Sequence, residues 1–164
     1  MSKIIMLCGK ICSGKSTYAN QLAQKINAVV LSCDELMLSL FDEQLGDKHN
    51  DILKKCQAYL YNLAQQIVHA NVNVILDFGF WSKVERTELI RLFNSKNIEV
   101  ELHYIKIDDN SWLEQIKKRN KLVEEGKLKC YYVDKNMQRI FNENFEEPGI
   151  DENYLLIDNS AKTL

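Results

Sequence analysis

The chain has 164 residues, 46% of them hydrophobic and 27% charged, with a formal net charge of −2 and a single proline. That length suits one domain with a real core rather than two, and the composition excludes a disordered or fibrous chain. The small net charge excludes a general pull toward nucleic acid or an anionic membrane, so any polyanion would need a local basic cleft.

The first apolar run is only Ile4 to Cys8, far shorter than the core of a signal peptide or a membrane span, so a cytosolic protein without membrane contact is expected. Ile4, Ile5, Met6 and Leu7 form a continuous run that stops at Gly9, which predicts a buried strand over Lys3 to Cys8. From Lys15, the residues Tyr18, Leu22, Ala23 and Ile26 recur at helical spacing, and Ala28 to Leu31 returns to strand character. Glu35 to Ala70 reads as helical, clearest in the stripe Cys56, Tyr59, Leu60, Leu63 and Ile67. Val72 to Leu76 is a second buried strand ending at Asp77, and the next helix opens with a capping box from Ser82 to Glu85. Val100 to Ile107 is another strand, followed by a second capping box from Ser111 to Glu114 and a helix that runs out at Gly126. Asp134 is placed to cap a last helix carrying Met137, Ile140, Phe141 and Phe145, with Pro148 and Gly149 as its stop and Tyr154 to Ile157 as the fifth strand.

Buried strands alternating with helices call for an α/β fold, a parallel sheet covered on both faces and joined by right-handed crossovers. No boundary divides residues 1–164, so a single domain is expected, with the lysine-rich segment 119–134, broken by Gly126, as its mobile lid. The five cysteines, Cys8, Cys12, Cys33, Cys56 and Cys130, are scattered, with no CxxC pair and no histidine at metal-ligand spacing. They read as reduced thiols, mostly small core residues, rather than a disulfide or zinc framework.

Gly9-Lys10-Ile11-Cys12-Ser13-Gly14-Lys15-Ser16 fits G-x-x-x-x-G-K-[ST] and lies between a predicted strand and a predicted helix. Glycines let successive backbone N–H groups aim at phosphate oxygens, and the helix beginning near Lys15 adds its positive end. Gly9, Ile11, Cys12, Ser13, Gly14, Lys15, Ser16 and Thr17 would cradle ATP, with Lys15 on the β- and γ-phosphates and the Ser16 hydroxyl on Mg²⁺. A GTP switch would need N-K-x-D and D-x-x-G; neither occurs, and Asp77-Phe78-Gly79-Phe80 has its glycine one place early. The chain is also too short for an oligomeric motor ATPase, which leaves the compact kinases.

The sequence resembles the small P-loop kinase family called AAA_33, whose relatives include the polynucleotide 5′-hydroxyl kinase domain, chloramphenicol phosphotransferase and, more distantly, zeta toxins. The likeness runs through the phosphate loop, Ser32-Cys33-Asp34-Glu35, Leu76-Asp77-Phe78-Gly79, Arg119-Asn120, and Tyr132-Val133-Asp134 to Phe145-Glu146-Glu147-Pro148. It implies a three-layer P-loop kinase fold with strand order 2-3-1-4-5 and the site at the carboxyl edge of the sheet. It also implies Asp34 as the group that accepts the proton of an attacking hydroxyl, in competition with a helix-capping role. Arg119 matches the family's lid arginine, which closes over the transferring charge, against the alternative of one more solvated cation after Lys117 and Lys118.

Asp77, ending an apolar strand, is placed either to hold water on Mg²⁺ and contact the loop's lysine and serine, or to bind the acceptor. Phe78, Phe80 and Trp81 beside it read as pocket floor or as plain core. The chain has only four arginines, Arg86, Arg91, Arg119 and Arg139, which argues against an acceptor that already carries a phosphate; Arg86 is the second candidate for touching the acceptor. His49, His69 and His103 are isolated and receive no role. The segment from Glu35 to Asp51 is acidic, with Glu35, Asp42, Glu43, Asp47 and Asp51 against Lys48, which favours a small-molecule acceptor over a nucleic-acid 5′ end. An ATP-binding regulator or toxin–antitoxin component with little turnover is the reading from a different class.

Overall fold

The computed structural model describes residues 2–41 and 45–160; Asp42 and Glu43 of the acidic segment lie outside the described residues. Five strands form one parallel sheet in the order β2-β3-β1-β4-β5. They are β1 (Lys3–Cys8), β2 (Ala28–Ser32), β3 (Asn73–Gly79), β4 (Glu99–Lys106) and β5 (Tyr154–Asp158). The helices are α1 (Lys15–Ile26), α2 (Cys33–Leu40), α3 (His49–His69), α4 (Lys83–Asn94), α5 (Asp109–Glu124) and α6 (Lys135–Asn144), with a 3-10 turn at Gly46–Lys48. No helix among the described residues is long and apolar enough to cross a membrane.

The unbroken apolar run of β1 is explained by its place at the centre. Each strand residue alternates sides, so Ile4, Met6 and Cys8 pack into a core against α3 and α4, while Ile5 and Leu7 pack with Ala19, Tyr18 and Leu22 of α1 on the opposite face. A strand buried on both faces has no polar side to show. A third cluster joins Ile107, Trp112, Ile116, Val133 and Phe141 to Ile11 and Cys12 of the phosphate loop.

Several expected details move. In α3 the buried line is Cys56, Leu60, Ala64 and Val68, an i, i+4 spacing, with Leu63 and Ile67 partly buried; Tyr59 stands 62% exposed, on the flank of that stripe. The capping box at Ser82 forms, with its hydroxyl accepting the Glu85 N–H at 3.1 Å. The one expected at Ser111 does not, because Asp108 caps α5 by accepting the Ser111 N–H at 3.0 Å. A carboxylate three residues earlier captures that helix start and also complements its positive end. Asp134 caps α6 as its sequence suggests, accepting from the Met137 N–H at 2.7 Å. That helix stops at Asn144, before Pro148 and Gly149 are reached, and its Ile140 is 40% exposed. The third strand continues through Asp77 to Gly79 rather than ending there.

Arg86 is the largest fully buried side chain. Its guanidinium donates from Nε and Nη2 to the two oxygens of Glu152, at 2.7 and 2.9 Å, and from Nη1 to the carbonyls of Phe80, Trp81 and Glu146. One arginine thereby ties the end of β3, the start of α4 and the segment leading to β5. The Glu152 carboxyl is held below its ordinary value chiefly by these Arg86 hydrogen bonds.

Candidate functional site

The loop between β1 and α1 turns tightly because its glycines have no room for a side chain. A Cβ on Gly9 would lie 2.6 Å from the Ile105 carbonyl oxygen, and one on Gly14, whose φ is +97°, would run into the side chain of Asn159. Asn159 itself donates to the Ser13 carbonyl at 2.8 Å, so the residue just after β5 braces the loop. Cys12 holds φ at +58°, a conformation that costs roughly 1–2 kcal/mol for a residue with a side chain and persists because neighbours hold it.

Those neighbours lie on α5. The Lys10 ammonium pairs with Asp109 at 3.2 Å and sits 4.9 Å over the Trp112 ring, Trp112 Nε1 donates to the Ile11 carbonyl at 2.7 Å, and Arg119 Nη1 donates to Cys12 Sγ at 3.4 Å. Three consecutive loop residues are therefore fastened to one helix. Arg119 is accordingly not an exposed cation in a loop: it lies on α5, partly buried, while Lys117 and Lys118 are exposed. Its Nε also donates to Cys130 Sγ at 2.9 Å, and Asn120 pairs with both the N–H and the carbonyl of Val133. The base of the 119–134 segment is pinned, and the positive charge stands beside the loop already.

Lys15 folds back over the loop, its ammonium donating to the Gly9 and Lys10 carbonyls at 2.9 and 2.6 Å. Part of its side chain remains open while the nitrogen is enclosed, and burial lowers its pKa, opposed chiefly by Asp77 and more weakly by Asp34. Ser16, one residue on, donates to Asp77 Oδ2 at 2.6 Å. That contact follows from register, since Ser32 at the end of β2 pairs with Asp77 on β3 and β1 lies on the other side of β3.

Asp34 stands in the first turn of α2, and the cap of that helix is Ser32, whose hydroxyl accepts the Glu35 N–H at 3.3 Å. The capping alternative for Asp34 is thereby removed. Its carboxyl is raised above the ordinary value mainly by desolvation, with Lys15 and Arg119 opposing the rise and Asp77 adding to it. Its side chain is nonetheless exposed, so water limits that rise. The same field includes His49 at the start of α3, whose ring meets Tyr131 edge-on at 6.1 Å. No periodicity or motif marked His49, because a loop-edge histidine acquires neighbours only through the fold.

The structure thus brings Lys15, Asp34, Asp77 and Arg119 into one electrostatic neighbourhood and leaves Arg86 out of it. With every donor turned inward and no exposed surface, Arg86 has nothing to offer an acceptor; the expectation of contact fails because a carboxylate at residue 152 claims it. Trp81 is partly buried, set edge-on to Phe141 at 4.4 Å beneath the phosphate loop. Phe80 is buried in the main core and Phe78 stacks on it at 5.6 Å, so those two rings are core rather than pocket floor. His103 is satisfied by Tyr18 at 2.9 Å. A groove of about 510 Å³ between α4 and Glu146 to Gly149 contains none of these polar groups.

The AAA domain family AAA_33 matches residues 4–129. A comparison with curated proteins gives no match. Among solved structures, Kti12 from Chaetomium thermophilum in complex with ADP-AlF3 is 19% identical, with a TM-score of 0.71 over 94% of this chain and 88% of its own. The APS kinase of Mycobacterium tuberculosis in complex with AMPPNP and APS is 16% identical, with a TM-score of 0.67 over 96% of this chain and 88% of its own. A gluconokinase from Sinorhizobium meliloti is 13% identical, with a TM-score of 0.63 over 95% of this chain and 82% of its own. At these identities the likeness is one of fold.

Proposed function

The chain belongs to the AAA_33 family, and we propose that it acts as an ATP-dependent kinase that moves the γ-phosphate to a hydroxyl of a small-molecule acceptor. The observation that carries this reading is the convergence of Asp34 and Asp77 with Lys15 and Arg119 beside a loop whose glycines leave room only for backbone. Two carboxylates of different surroundings can divide the work. Asp77, joined to Ser16 at 2.6 Å, suits a cation, while Asp34, exposed toward solvent, suits the incoming alcohol.

The residues fit the groups the reaction needs. The Gly9 and Ser13 N–H groups are held by the Gly79 and Lys10 carbonyls, so the other N–H groups of the loop would take the phosphates; the Lys15 ammonium would exchange loop carbonyls for phosphate oxygens, and the Ser13 hydroxyl is buried without a partner among the described residues. Ser16 and Asp77 offer a hard-oxygen pair of the kind Mg²⁺ prefers. Magnesium bound there supplies charge neutralisation on the phosphates. Asp34 orients the hydroxyl and takes its proton late in transfer, and Arg119 holds charge that spreads over the γ-phosphoryl oxygens. Residues 119–134 act as a lid over one domain spanning residues 1–164, with Trp81 lining the acceptor side. Catalysis is then positioning and charge stabilisation by groups already in place. The acidic approach through Glu35, Asp47 and Asp51 and the shortage of arginine favour a small, unphosphorylated acceptor over a polynucleotide end.

Asp34→Asn tests the assignment. ATP affinity, read by calorimetry, should stay within a few-fold, while transfer should fall by about a hundredfold or more, the scale of a lost acid–base group. Turnover is read against a panel of nucleosides, sugars, antibiotics and 5′-hydroxyl oligonucleotides; unchanged transfer in the variant removes Asp34 from the mechanism. Tight ATP binding by the unaltered protein, with no acceptor stimulating turnover, would support the regulator instead.

A further inference from the structure

Two of the five cysteines differ from the rest. Cys8, Cys33 and Cys56 are buried, whereas Cys12 and Cys130 are partly exposed and share one cation: Arg119 donates from Nη1 to Cys12 Sγ at 3.4 Å and from Nε to Cys130 Sγ at 2.9 Å. One thiol belongs to the phosphate loop and the other to the stretch between α5 and α6. The sulfurs can be no farther apart than the span of two hydrogen bonds and part of one guanidinium. We propose that Cys12 and Cys130 are a thiol pair that peroxide converts to a disulfide, fastening the lid stretch to the phosphate loop and closing the nucleotide site.

A disulfide needs Cα atoms roughly 4.4–6.8 Å apart and sulfurs in bonding contact, so one thiol must travel. Cys130 sits in a stretch with no helix or strand, between Leu128, whose N–H bonds to Leu122, and Val133, held by Asn120. Cys12 is the fixed partner, since Trp112 holds its neighbour Ile11 and the loop's own turn holds Ser13.

The chemistry balances with hydrogen peroxide as oxidant. Deprotonated Cys130 attacks one peroxide oxygen; the O–O bond breaks, the sulfur becomes a sulfenic acid, and the departing hydroxide takes up the proton Cys130 released, giving water. Cys12 then attacks that sulfur; the S–S bond forms, the S–O bond breaks, and oxygen leaves with the Cys12 proton as a second water. Arg119 donates to both sulfurs, so the two reacting atoms lie beside one guanidinium. Burial pushes the Cys12 thiol up, against the pull of Arg119, which suits Cys12 to the second, resolving step. The bridge would also strip Arg119 of both sulfur partners and stiffen a loop that must wrap phosphate. This last consequence rests on the kinase reading; the bridge itself does not.

The test uses the full chain, reduced, then exposed to a modest excess of hydrogen peroxide, blocked with iodoacetamide and digested without reductant. The expected result is one peptide pair joined through Cys12 and Cys130, lighter by two hydrogens and separated by dithiothreitol. In parallel, Mg·ATP affinity of the oxidised protein should fall by about tenfold or more and return on reduction. Cys130→Ser should keep its own untreated Mg·ATP affinity within a few-fold through the same treatment, with Cys130→Ala as the second variant should serine unsettle the stretch. Sulfinic acid at either residue without a bridge, or bridging among the other cysteines, overturns the pair. A bridge that leaves ATP affinity unchanged overturns the closure. A reduced protein that never binds ATP, yet still forms the bridge, refutes the kinase reading and leaves the thiol pair standing.

Discussion

Lys15→Ala is expected to abolish measurable Mg·ATP association and to lower any phosphoryl transfer by about a thousandfold or more, the upper end of what a lost charge-stabilising donor costs. The argument is differential. In the free protein the ammonium donates to the Gly9 and Lys10 carbonyls, at 2.9 and 2.6 Å, and burial lowers its pKa against the opposing pull of Asp77, so its charge is desolvated and held by neutral acceptors. Phosphate oxygens would replace neutral carbonyls with anions, turning each ammonium–carbonyl bond into a contact between opposite charges. The fold should tolerate the change, because, of the two carboxylates facing Lys15, Asp34 is exposed and Asp77, partly buried, keeps the Ser16 hydroxyl as donor, and removing a desolvated charge relieves its desolvation. Isothermal titration with Mg·ATP beside a thermal melt separates the outcomes. Loss of binding with a melting point within a few degrees of the parent supports the assignment; binding that survives the substitution removes residues 9–16 as the phosphate site.

The parts of this molecule legible in its sequence are those fixed by local chemistry. Ile4 to Leu7, an unbroken apolar run that stops at Gly9, reads as a strand buried on both faces, and the order of glycines, Lys15 and Ser16 at its end reads as a phosphate loop. Asp134 and Ser82 announce helix starts because capping is decided within four residues. Ser111 misleads for the same local reason: it has a glutamate at the right spacing, but Asp108 offers a charged acceptor one turn earlier. What the sequence hides are partners brought together across the sheet. Arg86 and Glu152 are 66 residues apart, and Arg119 and Cys12 are 107 apart; nothing in either neighbourhood signals the other. Arg119 is read from the sequence as a lid cation in preference to a solvated one, but its contacts with the loop become visible only once α5 is seen fastened there through Lys10 and Trp112. Asp34 is a case where the fold removes a competitor. Its sequence position is read first as facing the acceptor, with a helix cap as the competitor, and the Ser32 hydroxyl takes the capping duty.

Arg86→Ala should be the most destabilising single substitution outside the hydrophobic core, costing about 3–5 kcal/mol, the scale for breaking a buried ion pair by removing one partner. The side chain is fully buried and its partner nearly so, and the loss leaves a carboxylate and the carbonyls of Phe80, Trp81 and Glu146 without their shared donor. Against a typical domain stability of about 5–15 kcal/mol, such a loss empties much of the margin. Chemical denaturation at neutral pH reads it directly, and a pH series identifies its source. Glu152 has a folded pKa below its unfolded one, so its contribution is fully present above the unfolded value and disappears as pH falls through the folded value. The difference in stability between parent and variant should accordingly shrink on acidification into that range. Replacing Glu152 as well, as Arg86→Met with Glu152→Leu, removes the stranded charge and should recover part of the loss. A single variant as stable as the parent would show that Arg86 is dispensable to the joint between α4 and β5, and with it the account of why this arginine is withheld from the acceptor.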